Sequence, residues 1–212
     1  MKNVKLVLFD LDGTLVDTSE IVHKSFNHVF RKYGHKEIDH HTFIKVFGRR
    51  PEQVFAELGY VFDDSKKAAQ EFFDYQLANF QNIRIYPHAR ETLLKLKAKG
   101  HKIGIYTNAN RNKAEKIVIE NLQMTVSDLD VLISGEDVTN PKPNPEGILT
   151  AMNRLKVSPN ETAYIGDSEA DMGAARSANV TAILVTQKED KSHVLTKPDF
   201  QIDELNELNN LL

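Results

Sequence analysis

The second part of the sequence alternates short apolar segments with segments of helical periodicity. Strand-like segments at 102–106, 129–133, 162–165 and 181–185 are separated by amphipathic stretches. A further segment near the N-terminus, 4–9, is nearly all apolar. Strands that read as continuous apolar runs are typical of parallel sheets covered by helices on both faces. The pattern predicts an α/β fold with a doubly wound parallel sheet of at least five strands, in the order 3-2-1-4-5 in chain numbering.

Residues 17–82 interrupt this alternation. They contain several helical patterns, with Gly34 as a stop signal and Pro51 suited to the first turn of a helix, and no convincing strand between 18 and 81. A chain of 212 residues can form one core plus a small inserted module. We therefore expect a Rossmann-like α/β core formed by residues 1–16 and 83–212, with residues 17–82 inserted as an all-helical cap domain.

Composition excludes several classes of protein and site. The formal net charge is -3 and no long basic run is present, which argues against a nucleic acid polymer as partner. The absence of cysteine excludes disulfides, zinc-thiolate sites and a cysteine nucleophile. No apolar run has the length of a membrane span or signal sequence, so we expect a cytoplasmic protein without a membrane partner. The sequence gives no indication of the oligomeric state.

Two carboxylates follow the first predicted strand. In a doubly wound sheet, ligands bind outside the carboxyl ends of the strands, and Asp10 and Asp12 come directly after the strand that ends at Phe9. Their spacing of two places both side chains on the same side of an extended backbone, and Gly13 permits a sharp turn. Carboxylates held this close repel each other unless a cation lies between them, and an all-oxygen site suits magnesium.

Three further groups of polar residues lie after other predicted strands or in a loop between elements. Thr107 and Asn108 come after the strand at 102–106, Lys142 lies in a proline-rich loop, and Asp167 and Asp171 follow the strand at 162–165. Taken singly, these residues also suit helix N-caps, a stiff loop or the acidic first turn of a helix. Taken together, they supply a nucleophile, an acid/base, metal ligands and a positive charge, which is the equipment of phosphoryl transfer.

These segments closely resemble the haloacid dehalogenase superfamily, over nearly the whole chain. Within it, the sequence looks most like the group of phosphoglycolate phosphatases and β-phosphoglucomutases, whose helical cap corresponds to the insertion seen here. The segments that resemble the four family motifs are Leu6-Val7-Leu8-Phe9-Asp10-Leu11-Asp12-Gly13-Thr14-Leu15-Val16-Asp17-Thr18, Tyr106-Thr107-Asn108, Lys142-Pro143-Asn144-Pro145-Glu146 and Gly166-Asp167-Ser168-Glu169-Ala170-Asp171.

The resemblance implies catalytic roles at the matching positions. Asp10 would attack phosphorus and form an aspartyl-phosphate, and Asp12 would protonate the leaving oxygen and then activate water. Thr107 and Asn108 would bind phosphoryl oxygens, and Lys142 would balance negative charge. The aspartate at position 12 favours a phosphatase over a dehalogenase, because the family's dehalogenases typically lack it. The resemblance thus implies a phosphatase acting on a small phosphorylated metabolite.

The resemblance also implies a Mg²⁺ cofactor. Asp10, the backbone carbonyl of Asp12, and Asp167 would hold the ion, and Asp171 would support the metal or orient Lys142. A dianionic phosphate can meet a carboxylate nucleophile only if cations screen the repulsion between them, which independently favours such a site.

The predicted cap leaves the substrate open. Arg49 and Arg50 lie in a loop that the family often places at the substrate, although two solvated arginines at a helix start are an equally simple interpretation. In the mutases a cap histidine assists acid/base transfer, and Val22 holds that position here. His23 is one residue away, about 100° of helix rotation, which argues against a mutase. A β-phosphoglucomutase-like enzyme and an inorganic pyrophosphatase remain alternatives, and a non-catalytic binding protein is disfavoured by the complete residue set.

Overall fold

The computed structural model describes residues 3–212, and the predicted alternation of strands and helices is present in it. The strands are β1 (Leu6–Phe9), β2 (Val16–Asp17), β3 (Arg84–Ile85), β4 (Lys102–Tyr106), β5 (Val131–Ile133), β6 (Thr162–Gly166), β7 (Thr181–Val185) and β8 (Phe200–Ile202). The helices are α1 (Ser19–Lys32), α2 (His40–Val46), α3 (Pro51–Glu57), α4 (Ser65–Ala78), α5 (Ala89–Ala98), α6 (Arg111–Lys116), α7 (Glu146–Leu155), α8 (Glu169–Ser177) and α9 (Leu208–Leu211).

The main sheet confirms the predicted topology and extends it. Its order is β5-β4-β1-β6-β7-β8, and every pair in it is parallel. When only the strands of this sheet are numbered, the order is 3-2-1-4-5-6, so the predicted 3-2-1-4-5 arrangement is confirmed and β8 is an additional edge strand. β1 lies between β4 and β6, at the point where the strand order reverses. This position makes the end of β1 the expected ligand crevice.

Side chains of the main sheet alternate between two apolar clusters. Val7 and Phe9 of β1 pack into the cluster that continues into the inserted helices, whereas Leu6 and Leu8 pack into the cluster on the opposite face. All four side chains are fully buried. The alternation follows from the two-residue period of a strand and explains why a strand covered on both faces reads as a continuous apolar run.

The insertion between β1 and α5 is helical, as expected. Residues 18–81 form α1 to α4 with short turns and no strand. Before and after them, β2 and β3 pair antiparallel, with Val16 opposite Ile85 and Asp17 opposite Arg84. The two chain crossings between the insertion and the sheet therefore run side by side.

The segment after β4 changes its helical form along its length. α6 begins at Arg111, because the Asn110 side chain caps it by accepting a hydrogen bond from the Lys113 backbone N–H at 2.9 Å. The continuation, Ile117–Asn121, is a wider π-helical turn. Among the helices formed by residues 3–212, none combines the length and apolar character needed to cross a membrane.

Candidate active site

The predicted site residues of the core meet at the carboxyl edge of the main sheet. Asp10 follows β1, Thr107 follows β4 and Asp167 follows β6, the three central neighbours of the sheet. The Asp10 backbone N–H donates to the Ile165 carbonyl at 2.8 Å, which continues the β1–β6 ladder one residue beyond the strand. Each of the three side chains is about 1% exposed. Parallel strands in register thus bring together residues that lie far apart in the sequence.

Lys142 lies at the centre of this edge, almost fully buried. Its Nζ is 2.7 Å from Asp10 Oδ1 and 2.7 Å from Asp171 Oδ1, and it donates to the Tyr164 hydroxyl at 3.1 Å. Burial works against the charged ammonium, but the two carboxylates outweigh it and raise the pKa of Lys142 above its usual range. The lysine is therefore a fixed positive charge beside Asp10.

Asp171 anchors this lysine rather than facing the cleft. Its Oδ1 accepts from Lys142 and from the Tyr164 hydroxyl at 3.0 Å. Its Oδ2 accepts from the backbone N–H groups of Asp167 and Ser168 and from the Ser168 hydroxyl at 2.5 Å. Both oxygens of Asp171 are therefore already engaged by the protein.

Asp10, Asp167 and Asp171 form a buried acidic cluster. Each offers an oxygen within 4.8 Å of the others. Burial raises the pKa of Asp10 well above its usual value, and the neighbouring Asp171 adds to the effect. Burial likewise raises the pKa of Asp167 to about 6, although Lys191, 3.0 Å from its Oδ2, opposes the shift. The cluster holds more negative charge than its lysines neutralise, so its oxygens fit a divalent cation.

Gly13 allows Asp167 to approach the turn after β1. The residue has φ +83°, and a Cβ atom there would lie 2.4 Å from Asp167 Oδ2. Any larger residue would therefore clash with the carboxylate as well as strain the backbone. Thr14, next in the turn, donates from its hydroxyl to Asp167 Oδ1 at 3.3 Å.

Asp12 is not part of this acidic cluster and forms an ion pair with a different lysine. Lys113 Nζ lies 2.6 Å from Asp12 Oδ1, and the two side chains are 3% and 13% exposed. Both residues line the cleft that also contains Asp10. The two carboxylates of the Asp-x-Asp segment are thus paired with two different buried lysines, Lys142 and Lys113.

Thr107 and Asn108 differ in how many hydrogen bonds their side chains already make with the protein. The Thr107 hydroxyl accepts a hydrogen bond from the Ala109 backbone N–H at 3.0 Å, which leaves its proton available for another acceptor. The Asn108 amide donates to the Gly48 carbonyl at 2.8 Å and accepts from the Lys142 backbone N–H at 3.1 Å. Asn108 therefore links the loop after α2 to the loop that carries Lys142.

The two arginines of the insertion point to different places. Arg49 lines the cleft and forms an ion pair with Glu57. Arg50 donates from Nη2 to the Val138 carbonyl of the core at 3.2 Å and is not among the residues that line the cleft. The structure thus brings Arg49, but not Arg50, to the predicted site.

The cleft between the sheet edge and the insertion has a cavity volume of about 40 Å³. Its polar wall comes from the core: Asp10, Asp12, Thr107, Asn108 and Lys113. Its opposite wall is mostly apolar and comes from the insertion: Val22, Phe47, Gly48, Arg49, Pro51, Phe72 and Phe73. His23 turns away from the cleft, because its Nε2–H donates a hydrogen bond to the Ile38 carbonyl at 2.8 Å, as the helix rotation predicts.

Sequence reasoning missed three residues that contact the predicted site. Tyr164 lies in a strand among apolar residues, and its hydroxyl is within hydrogen-bond distance of two acceptors, Asp171 Oδ1 at 3.0 Å and the Tyr106 carbonyl at 3.1 Å. Lys191 comes from the loop after β7. Lys113 had a usable signal, since the third position of a helix capped by Asn110 lies close to the end of β4.

Known proteins resemble this chain over most of its length. The family model for haloacid dehalogenase-like hydrolases matches residues 7–185. The pyrophosphatase PpaX of Bacillus cereus (strain B4264) is 29% identical over 213 residues, covering 97% of this chain and 94% of PpaX.

Solved structures agree with the family model. A Bacteroides fragilis protein provisionally named a haloacid dehalogenase-like hydrolase has 32% identity and a TM-score of 0.87, covering 97% of this chain and 99% of the other. A Lactobacillus plantarum protein provisionally named a phosphoglycolate phosphatase has 25% identity and a TM-score of 0.89, covering 99% and 100%. With the sheet order, the inserted helices and the buried aspartate–lysine cluster, these matches show that the chain belongs to the haloacid dehalogenase-like hydrolase family.

Proposed function

We propose that the chain is a Mg²⁺-dependent phosphatase that hydrolyses a small phosphomonoester through an aspartyl-phosphate. The observation that carries the proposal is that the two carboxylates at the cleft, Asp10 and Asp12, are paired with separate buried lysines, Lys142 and Lys113. A nucleophile needs a nearby positive charge to meet a phosphate dianion, and a proton donor must lie within reach of the leaving oxygen. The site offers both.

The proposed reaction has two steps, formation of the aspartyl-phosphate and its hydrolysis. In the first, an Asp10 carboxylate oxygen attacks phosphorus, the bond from phosphorus to the leaving oxygen breaks, and that oxygen takes the proton of Asp12. In the second, the Asp12 carboxylate takes a proton from water while the water oxygen attacks phosphorus. The bond to Asp10 then breaks, releasing phosphate and restoring both carboxyl groups. Thr107 and Lys142 bind and screen the phosphoryl oxygens throughout.

The proposed Mg²⁺ ligands are Asp10, the backbone carbonyl of Asp12, and Asp167. The excess negative charge of the buried cluster and its all-oxygen donors support this set. When bound, the cation supplies positive charge beside the phosphoryl group. Of the two roles expected for Asp171, its engaged oxygens favour orienting Lys142 over ligating the metal.

We further propose that residues 17–82 act as a cap domain over a core of residues 1–16 and 83–212. The paired crossings at β2 and β3 are the natural hinge between the two. Opening would admit a small phosphorylated metabolite, and closure would exclude bulk water from the aspartyl-phosphate.

Two alternatives use the same core. A pyrophosphatase is favoured by the likeness to PpaX and differs only in the leaving group, which is phosphate. A mutase is disfavoured, because Val22 rather than a histidine lines the cleft at the corresponding place and His23 is engaged with Ile38.

A phosphate-release screen tests the proposal. The substrates are phosphoglycolate, sugar phosphates, nucleotides and pyrophosphate, each with and without Mg²⁺. We expect turnover of at least one monoester that Asp10→Asn abolishes without unfolding the protein. The matched control Asp74→Asn removes an exposed carboxylate of α4 and should leave activity unchanged. Full activity of Asp10→Asn would exclude the covalent mechanism.

A further inference from the structure

Lys113 differs from the other buried lysine of the site in how many partners it has. The residue is 2% exposed, and among residues 3–212 the one polar partner found for its Nζ is Asp12 Oδ1 at 2.6 Å. Lys142, in contrast, has Asp10, Asp171 and Tyr164 around its ammonium. An ammonium carries three N–H donors, so Lys113 retains two that no described protein group uses. Burial of a charge with spare donors calls for a further acceptor.

The backbone around Lys113 holds it at the cleft. It occupies the first turn of α6, which follows β4 after the short loop 107–110, and Asn110 fixes that turn through the Lys113 N–H. Side chains of a helix lean toward its N-terminus, here toward the sheet edge. Lys113 lines the same cleft as Asp10 and Asp12, so its spare donors lie beside the group that Asp12 would protonate.

The rest of the leaving-group side offers little to a charged or polar substrate. The insertion contributes Val22, Phe47, Phe72 and Phe73 to this wall, and Arg49, its one cation there, already pairs with Glu57. A leaving group with several hydroxyls would lose hydrogen bonds to water against such a wall. A negative charge on a compact leaving group would find Lys113.

We infer that Lys113 is a specificity-determining residue that selects substrates whose leaving group carries a negative charge close to the scissile bond. The inference rests on the proposed phosphatase function. While Asp12 holds the proton that it will donate, its carboxyl group is neutral and Lys113 is free to attract the anion. When the proton moves to the leaving oxygen and the bond to phosphorus breaks, the Asp12 carboxylate pairs again with Lys113. The anionic product then loses its partner and can depart.

Two monoesters that differ in one remote group test the inference. Phosphoglycolate has a carboxylate where 2-hydroxyethyl phosphate has a neutral CH₂OH, and both release an alkoxide oxygen that needs a proton. Pyrophosphate serves as a second anionic substrate and distinguishes a carboxylate from a phosphate leaving group. A hydrogen bond to a charged group contributes about 1.5–3 kcal/mol, so we expect wild-type kcat/KM to favour at least one anionic substrate by about ten- to a hundredfold.

Replacement of Lys113 should remove this preference. We expect Lys113→Met to lower kcat/KM for the preferred anionic substrate by at least about tenfold more than for 2-hydroxyethyl phosphate, mainly through KM, whereas Lys113→Arg keeps most of the preference. The control Lys116→Met removes a lysine of the same helix that pairs with Glu120, and it should leave kcat/KM unchanged for both kinds of substrate. Should Lys113→Met not fold, Lys113→Gln provides the same comparison.

The outcomes separate this inference from the proposed function. Equal losses on both monoesters would overturn it, because they would mean that Lys113 only positions Asp12. A wild-type enzyme without preference for either anionic substrate would also overturn it. A wild-type protein that hydrolyses none of the three substrates would count against the proposed function itself.

Discussion

The sheet edge and the inserted helices are both buried, but they are filled by opposite kinds of side chain. At the edge, Asp10, Lys142 and Asp171 are at most 1% exposed and hold one another through contacts of 2.7 Å. In the insertion, aromatic rings fill the interior, with Phe26 and Phe72 centred 4.5 Å apart. Packed rings contribute stability, whereas a buried ion pair contributes little net stability and fixes charges in place. The core edge is therefore arranged for chemistry, and the insertion for shape.

Few polar contacts join these two regions. Asn108 donates to the Gly48 carbonyl, and Arg50 donates to the Val138 carbonyl. Near the first of these, a Cβ on Gly48 would lie 2.8 Å from the Ser168 hydroxyl, so the loop after α2 lies close against the core. Changes in one region should therefore affect a different property from changes in the other.

The largest effect should follow Lys142→Met. Loss of the ammonium leaves Asp10 and Asp171 buried without a partner, and breaking a buried pair costs about 3–5 kcal/mol. We expect the free energy of unfolding to fall by about that amount and kcat to fall by at least about a thousandfold. Urea unfolding and phosphate release measure the two. Lys188→Met, at an exposed ion pair with Glu204, should change both little. Activity within tenfold of wild type would show that the edge charges are not needed for chemistry.

The next effect should follow Phe55→Ala in the insertion. Phe55 is 2% exposed and packs against Phe30, with ring centroids 5.9 Å apart. Truncating a buried phenylalanine costs about 3–5 kcal/mol. We expect hydrogen exchange to quicken in α1 to α4 while the amides of β1, β4 and β6 stay protected. Val61→Ala, at an 82% exposed position, is the control. Equal loss of protection in the sheet would mean that the two regions unfold as one unit.

The same contrast explains how far the sequence could be interpreted. The strand order, the helical insertion and the gathering of Asp10, Thr107 and Asp167 followed from apolar runs that end in polar residues, because parallel strands in register align their ends. β8, at the sheet edge, has two exposed residues of three and therefore no continuous apolar signal.

Contacts between distant loops could not be predicted. Lys191 reaches Asp167 from a loop 24 positions away, and Arg50 turns toward Val138, 88 positions away. Such partners depend on side-chain directions that no local periodicity encodes. The pairing of Asp12 with Lys113 is of the same kind, although the helix start at Asn110 gave a partial signal.

An intermediate effect concerns pH in the Mg²⁺-free protein. Burial raises the pKa of Asp167 from 3.8 to about 6, so the native state holds this proton more tightly than the unfolded state. The stabilisation is fully present below pH 3.8 and is lost as the pH rises through about 6, on the order of 3 kcal/mol in all. Asp10, with a raised pKa, acts in the same direction.

Thermal unfolding of wild type and Asp167→Asn at several pH values isolates this contribution. We expect wild type to lose stability relative to Asp167→Asn between about pH 4 and pH 7, and Mg²⁺ to restore more stability at pH 7 than at pH 4.5. A difference between the two proteins that does not change with pH would mean that Asp167 is ionised equally in both states.

The smallest effect should follow Arg50→Ala. Its guanidinium contributes one 3.2 Å hydrogen bond between the insertion and the core, and a single bond of this kind contributes about 0.5–1.5 kcal/mol. Because Arg50 does not line the cleft, we expect stability to change by at most that amount and kcat/KM by at most about tenfold, with KM nearly unchanged. Arg49→Ala is the matched comparison. Because Arg49 lines the cleft, we expect its replacement to raise KM more than Arg50→Ala does. Steady-state kinetics on the preferred substrate decide between them. A larger rise in KM for Arg50→Ala would mean that Arg50 leaves Val138 to contact substrate, so that the insertion supplies charge as well as shape.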